Sequence, residues 1–325
     1  MLAVTLTSPS AKDPLSAIEV GGRADPAPAE GWTPVRLRTA SLNHHDVWNM
    51  RGLGVDPSWL PTVLGSDGAG VDADGNEVLI HPLIADPEAG RGDETLDPRR
   101  RMISDGIDGT FAEVIAVPRR NLVPKPQGLS WESAACLGTA WLTAYRALFG
   151  RGDLPPGSTV LVQGAGGGVA TAVIALGRAA GLRVWVTSRS ADKRRRAVEE
   201  LGAHGAFADG ERLPERVDAA IDSVGQATWT HSLRSLLPGG TLVTLGATSG
   251  GAVEPELSRV FLNQIRVQGV AMGTVDELRR LAVMCAEAGI EPPIDSEFAL
   301  ADAKAGIERM VEGRLFGKVL LRCSS

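Results

Sequence analysis

With 325 residues the chain is long enough for two domains, each with its own core. A hydrophobic fraction of 43% describes a soluble globular protein, and a formal charge of -6 argues against an extended nucleic-acid surface. Three scattered cysteines, Cys136, Cys285 and Cys323, exclude a disulfide framework or a cysteine-rich zinc site and suit a reducing compartment, so a cytoplasmic location is expected.

The N-terminus opens without the basic-then-apolar pattern of a secretory signal. No later apolar run approaches the roughly 18 residues of a membrane span. The first part of the chain is rich in Pro and Gly, with short apolar segments at 35–38, 77–80 and 112–117, the last halted by Pro118. It reads as a compact β-rich unit. Residues 86–108 carry mixed charge, including Arg99, Arg100 and Arg101, and read as a solvated loop. After Pro124 and Pro126, residues 131–149 place apolar side chains at helical spacing, with Ser130 set to cap the helix. From there strands and helices alternate. Strands are expected at 159–163, 183–187, 218–221 and 241–245, with helices at 168–180, 191–201 and 229–237 between them. Apolar strands separated by helices make a parallel sheet covered on both faces. Residues 266–270 offer one more strand and 275–288 a helix. A helix at 301–312 and a strand at 317–321 then return the chain to the first unit.

The most informative stretch is 159–170. An apolar strand runs into Gly164-Ala165-Gly166-Gly167-Gly168-Val169, and a helix pattern follows at once. That arrangement offers backbone N–H groups and a positive helix end to a pyrophosphate, so a dinucleotide is expected here. The spacing is not a strict G-x-G-x-x-G. Gly164, Gly167 and Ala170 fit a variant with a small residue at the close helix–strand contact. The end of the second strand selects the cofactor. NAD enzymes usually place an acid there, whereas this chain has Ser188, Arg189 and Lys193, which can donate to a 2′-phosphate and neutralise it. Asp192 either favours NAD or caps the next helix. NADPH is the expected cofactor. Small residues after the next two strands, Ser223 and Val224, then Gly246, Ala247 and Thr248, leave room for ribose and nicotinamide.

Taken in order, further landmarks are 40–47 with Asn43, His44, His45 and Asp46, then 63–70 with Gly65, Gly68 and Gly70, and 109–114. Residues 135–145 with Thr139 and Thr143, and the turn Gly317-Lys318-Val319, complete the set. Together with the glycine loop these resemble the medium-chain dehydrogenase/reductase superfamily, in its zinc-free quinone oxidoreductase-like branch, over nearly the whole chain. The resemblance implies an α/β protein in which a Rossmann domain with a doubly wound parallel sheet is inserted in a β-rich, chaperonin-10-like (GroES-like) catalytic domain. The expected boundaries are 1–123 plus 295–325 for the catalytic domain and 124–294 for the cofactor domain. The resemblance also implies a cofactor cleft between the two, and a homodimer built on the edge strand at 266–270.

Zinc alcohol dehydrogenases place Cys, His and Cys at positions matching Asn43, Ser66 and Thr139, and a carboxylate at the position of Asp67. Asn, Ser and Thr are poor zinc ligands, and residues 86–108 lack the four cysteines of the structural zinc lobe, so no metal is expected. Without a Lewis acid, oxidation of an unactivated alcohol gives way to reduction of an acceptor that delocalises the incoming charge. The resemblance nominates Asn43 near the nicotinamide and His45, at a proton-relay position, as proton donor. Asp46 is expected to orient the loop or to pair with a cation. Trp48 stands where many quinone reductases carry Tyr, and Trp48 and Trp59 are stacking or packing residues. Thr139 and Thr143 are expected nicotinamide or phosphate contacts, with the turn Phe316-Gly317-Lys318 and Arg51 weaker candidates for the cofactor; Tyr145 is expected to be structural. The reading is an NADPH-dependent, zinc-independent oxidoreductase passing hydride to a quinone or similar electron-poor small molecule. An enoyl or 2-alkenal C=C reductase is the first alternative, and an NADPH-binding protein with little turnover the second. Neither nucleic acid nor membrane is an expected partner.

Overall fold

A computed structural model describes residues 1–323, and its contacts gather the chain into two compact units: Met1–Leu142 with Gly273–Ser325, and Thr143–Met272. In the first unit the ten-residue strand Trp32–Ser41 is the organiser. It pairs antiparallel with Asp67–Asp72, with Val114–Pro118 and with the C-terminal strand Lys318–Arg322. The last strand of the chain is thereby laid against one of the first, which returns the closing segment to this unit as expected. Alternate residues Val35 and Leu37 face a core with Leu64, Ile80, Phe111, Ile115, Val319 and Leu321.

Two expectations for this unit need correction. Residues 86–108 are not merely a solvated loop: Ile103 and Ser104 are buried, and the Asp97 carboxylate accepts from the backbone of Asp86 and Arg99, both at 2.8 Å. Short polar side chains that satisfy loop backbone allow irregular chain to be buried. The expected helix at 131–149 does start at Ser130, whose hydroxyl accepts from Ser133 N–H at 3.0 Å. It is then interrupted by π-helical turns at Leu137–Trp141 and Arg146–Gly150. Gly138 in the first such turn presses on its neighbours, so that a Cβ there would lie 2.9 Å from the Asp67 carboxylate and 3.1 Å from the Ile80 carbonyl. Residues 124–142 and 273–294 make their contacts within the first unit. The fully buried His81 ring sits 2.8 Å from Gly273 O, and Glu94 accepts from Val275 N–H at 2.6 Å.

The second unit is a six-stranded, all-parallel sheet. Its strand order is Gly205–Phe207, Arg183–Thr187, Thr159–Gln163, Val217–Asp222, Leu236–Thr244, Arg266–Gly269. The chain starts in the middle, at Thr159–Gln163, works outward one way and then the other, so the order reverses beside that first strand. Such a switch point leaves a crevice beyond the strands' carboxyl ends. Helices Gly168–Ala179 and Ala191–Glu199 follow the first two strands, as expected. The edge strand Gly205–Phe207 was not expected, and Trp229–Ser235 stops earlier because Leu236 already pairs with Val217. Among the described residues no helix is long and apolar enough to cross a membrane.

Candidate active site

A polar cluster forms in the first unit where four segments meet. Lys318, at the start of the C-terminal strand, sends its ammonium to Asn43 Oδ1 at 2.7 Å, to Leu42 O at 2.8 Å and to Asp67 Oδ2 at 3.2 Å. Asn43 Nδ2 donates to the same Asp67 oxygen at 2.9 Å, as does Ser41 Oγ at 2.9 Å. Ser66 Oγ lies 3.3 Å from Asn43 Nδ2 and 3.1 Å from Thr139 Oγ1. Lys318 is 2% exposed and Asp67 not at all, so this ion pair has been taken wholly out of water. Asp67 Oδ1 is buried without a hydrogen-bond partner.

Asn43 also caps helix His44–Met50, and its backbone N–H donates to Asp46 Oδ2 at 2.7 Å. Burial pushes the Asp46 carboxyl up to about 6, against the opposing pull of that N–H and of the His45 and Lys318 charges. Burial also pushes the neighbouring Cys136 thiol up to about 12, which leaves it unreactive.

His45 lies one residue into the same helix. Its Nε2 is 2.9 Å from Asp105 Oδ1, and Asn49 Nδ2 donates to that oxygen at 3.0 Å. Burial alone lowers the imidazole pKa; the Asp105 hydrogen bond and the Asp105 and Asp46 charges outweigh it, so the net shift is upward. Its neighbour His44 shifts downward, through burial and the Arg51 charge, and sits edge-on to Trp48 with ring centroids 5.6 Å apart. The two histidines therefore serve different partners. Trp59 takes the Arg101 guanidinium over its ring at 5.5 Å, and Tyr145 packs on Phe149 at 4.9 Å.

The second unit carries the nucleotide-binding features. Gly164 has φ +96, and at both Gly164 and Gly167 a Cβ would meet nothing within 4 Å. Gly167 caps helix Gly168–Ala179 without a side chain, so no side chain satisfies the N–H groups of its first turn. At the end of the second strand Ser190, not Asp192, caps the next helix, accepting from Lys193 N–H at 3.2 Å. Asp192 is paired with Arg195 at 2.7 Å, while Arg189 is exposed. Arg194 donates to Ser188 O and adds a cation that the sequence reading passed over. The loops after the next two strands are tied together: Ser249 N–H donates to Val224 O at 2.8 Å, and Thr248 Oγ1 to Ser223 O at 3.4 Å. Beneath them the buried Asp222 carboxylate accepts from Val224 and Gly225 N–H and from Ser232 and Thr228 hydroxyls.

Most expected residues thus fall into two groups, one in each unit. In the second are Gly164, Ala165, Gly166, Gly167, Gly168, Val169, Ser188, Arg189, Lys193, Ser223, Val224, Gly246, Ala247 and Thr248 at strand ends. Thr143 lies in that unit too, its hydroxyl 4.0 Å from Met272 Sδ. In the first, Asn43, Asp46 and Thr139 belong to the buried cluster or border it, and His45 and Trp48 share the capped helix. The turn Phe316-Gly317-Lys318 is a different matter. Phe316 N–H donates to Asp295 Oδ1 at 2.9 Å, and the three oxygens around Lys318 use its ammonium hydrogens, leaving none for a phosphate. Asn43 likewise spends its carbonyl on Lys318 and its amide on Asp67. Sequence reasoning missed Asp105 and the place of Lys318, because each pairing spans a long stretch of chain.

A family model for the alcohol dehydrogenase GroES-like domain matches residues 29–127, and one for zinc-binding dehydrogenase matches 168–287. A zinc-type alcohol dehydrogenase-like protein of Schizosaccharomyces pombe is 30% identical over 89% of this chain and 90% of its own. The chain belongs to the medium-chain dehydrogenase/reductase superfamily. This medium-chain oxidoreductase is also similar to an acryloyl-coenzyme A reductase of Metallosphaera sedula, 28% identical over 93% of this chain and 96% of the relative. A crystal structure of an NAD-dependent alcohol dehydrogenase superposes with TM-score 0.91 and 31% identity, covering 100% of both chains. The GroES-like and Rossmann architecture read from the sequence is confirmed.

Zinc, which one family description names, does not suit these residues. The positions that hold metal ligands in zinc enzymes offer amide and hydroxyl groups here, and an ammonium already contacts the oxygens that a cation would use. Among the described residues no group of three or more His, Cys, Asp or Glu is placed to hold an ion. A dinucleotide does suit the second unit, where the missing side chains of Gly164 and Gly167 leave a cradle beside a helix N-terminus.

Proposed function

We propose that this medium-chain oxidoreductase uses NADPH to reduce an activated carbon–carbon double bond, such as that of an α,β-unsaturated thioester, without zinc. NADPH, held with its pyrophosphate at the glycine loop, would supply a hydride from its nicotinamide. The acceptor must then carry the resulting negative charge itself, because the buried cluster provides no Lewis acid. A carbonyl conjugated with the double bond does so by delocalisation. The observation that carries the choice is His45, a partly exposed imidazole braced by a carboxylate. Reducing a C=C bond needs a proton at carbon, where a placed acid helps most. Reduction of a quinone, which the sequence reading ranks first, ends on oxygens that take protons readily from water. The likeness to acryloyl-coenzyme A reductase supports the same choice.

For the cofactor, the first-turn N–H groups at Gly168 and Val169 face the pyrophosphate, and Ser188, Arg189 and Lys193 face the 2′-phosphate. The engagement of Asp192 with Arg195 removes the acid that would have favoured NADH. Changing Arg189 to Ala is expected to weaken NADPH binding about tenfold while sparing NADH, the low end for a charge-assisted contact because this side chain is solvated. Titration of both cofactors against the variant reads this directly, and equal losses would remove Arg189 from the phosphate site. The homodimer remains part of the reading: strand Arg266–Gly269 ends the sheet, and Phe261 and Leu262 stand exposed on the helix before it.

A further inference from the structure

We propose that Asp105 is the positioning residue of a His45–Asp105 dyad, in which the second ring nitrogen of His45, Nδ1, delivers the proton that completes reduction. The inference rests on the C=C reductase reading and names the residue that sets its acid. A carboxylate only accepts hydrogen bonds, so with Asp105 Oδ1 2.9 Å from Nε2 that nitrogen must carry a hydrogen in either protonation state. Only Nδ1 is left to gain and lose a proton. The carboxylate is itself held. Asn49 Nδ2 donates to Oδ1 at 3.0 Å, and the Arg101 guanidinium donates to the Asp105 carbonyl at 2.7 Å. Asn49 is one helical turn beyond His45, so the helix carries both partners of Asp105 on one face.

The charges facing His45 are Asp105 from the loop and Asp46 on its own helix; Arg51 acts on His44 instead. Both acids favour the imidazolium. A ring at 22% exposure can also be reprotonated from solvent between turnovers. The chemistry balances. The β-carbon of the acceptor takes a hydride from NADPH, which becomes NADP+, and the π pair moves toward the carbonyl as an enolate. The Nδ1–H bond breaks and a C–H bond forms at the α-carbon, leaving neutral His45 with its Nε2–H still on Asp105.

The test uses purified full-length protein with acryloyl-coenzyme A as acceptor. In Asp105→Asn the His45 pKa, followed by NMR, should fall. The alkaline limb of kcat should move down in pH with it, and kcat at neutral pH should drop tenfold or more, with NADPH affinity within twofold of the parent. Asp105→Glu should restore much of the rate, and His45→Gln should remove the alkaline limb. A latch that merely ties the helix to the loop would change stability and leave the limb in place. Wild-type turnover indifferent to His45→Gln and Asp105→Asn overturns the dyad alone. No wild-type turnover with this acceptor overturns the proposed function, and the proton role with it.

Discussion

Replacing Lys318 with Met is expected to destabilise the protein by about 3–5 kcal/mol, the usual cost of leaving one partner of a buried ion pair behind. Asp67 is fully buried and already has one oxygen without a partner. Without the ammonium, its other oxygen keeps only the Ser41 and Asn43 donors, which do not neutralise a charge. Urea unfolding measures the loss. The double variant Lys318→Met with Asp67→Leu should recover part of it, because no buried charge then remains. If Lys318→Met costs less than about 1 kcal/mol, the cluster is not a closed ion pair. The same ammonium fixes Asn43 Oδ1, so the local order of the cap before helix His44–Met50 depends on a residue from the far end of the chain.

Asp46→Asn is expected to stabilise the protein at neutral pH, by about 2–3 kcal/mol, and to do nothing of the kind in acid. The sign follows from the direction of the shift. Burial raises the Asp46 carboxyl to about 6 from 3.8, so between those values the folded state holds a proton that the unfolded state has lost. Stability is therefore full below the unfolded value and falls as pH rises through the folded one. An Asn at this position keeps an oxygen to accept the Asn43 N–H and never ionises. The difference between variant and parent should be near zero below about pH 3 and reach its plateau by about pH 7 to 8. A difference that is flat with pH would show that Asp46 is ionised as easily in the fold as out of it.

The glycine loop was legible because everything that makes it is local: a strand, a turn without side chains, and a helix, in consecutive residues. Strands Thr159–Gln163 and Arg183–Thr187 and helix Val275–Ala288 were legible for the same reason, their apolar periodicity being a local property. The edge strand Gly205–Phe207 has three residues, one of them Gly, and too little pattern to read. The π-helical turns at Leu137–Trp141 and Arg146–Gly150 were invisible, since every side chain there still fits an α-helical spacing. The site divides along the same line. Asn43 and His45 could be nominated from a short motif, but what holds them could not. Lys318 reaches Asn43 across 275 residues of sequence and Asp105 reaches His45 across 60, the latter from a loop whose charges gave no hint of burial. The resemblance supplied the positions; only the fold shows that a lysine ammonium contacts oxygens at the would-be metal site.

The central claim is reduction of an activated double bond by NADPH with the chain's own residues and no zinc. It is tested most directly by mixing metal-analysed protein with NADPH and acryloyl-coenzyme A, in parallel with a quinone, and following nicotinamide absorbance with and without a chelator. The account predicts NADPH consumption with the thioester, a saturated acyl product, slower reaction with NADH and indifference to the chelator. Consumption with the quinone alone, or activity that tracks a stoichiometric equivalent of zinc, would contradict it.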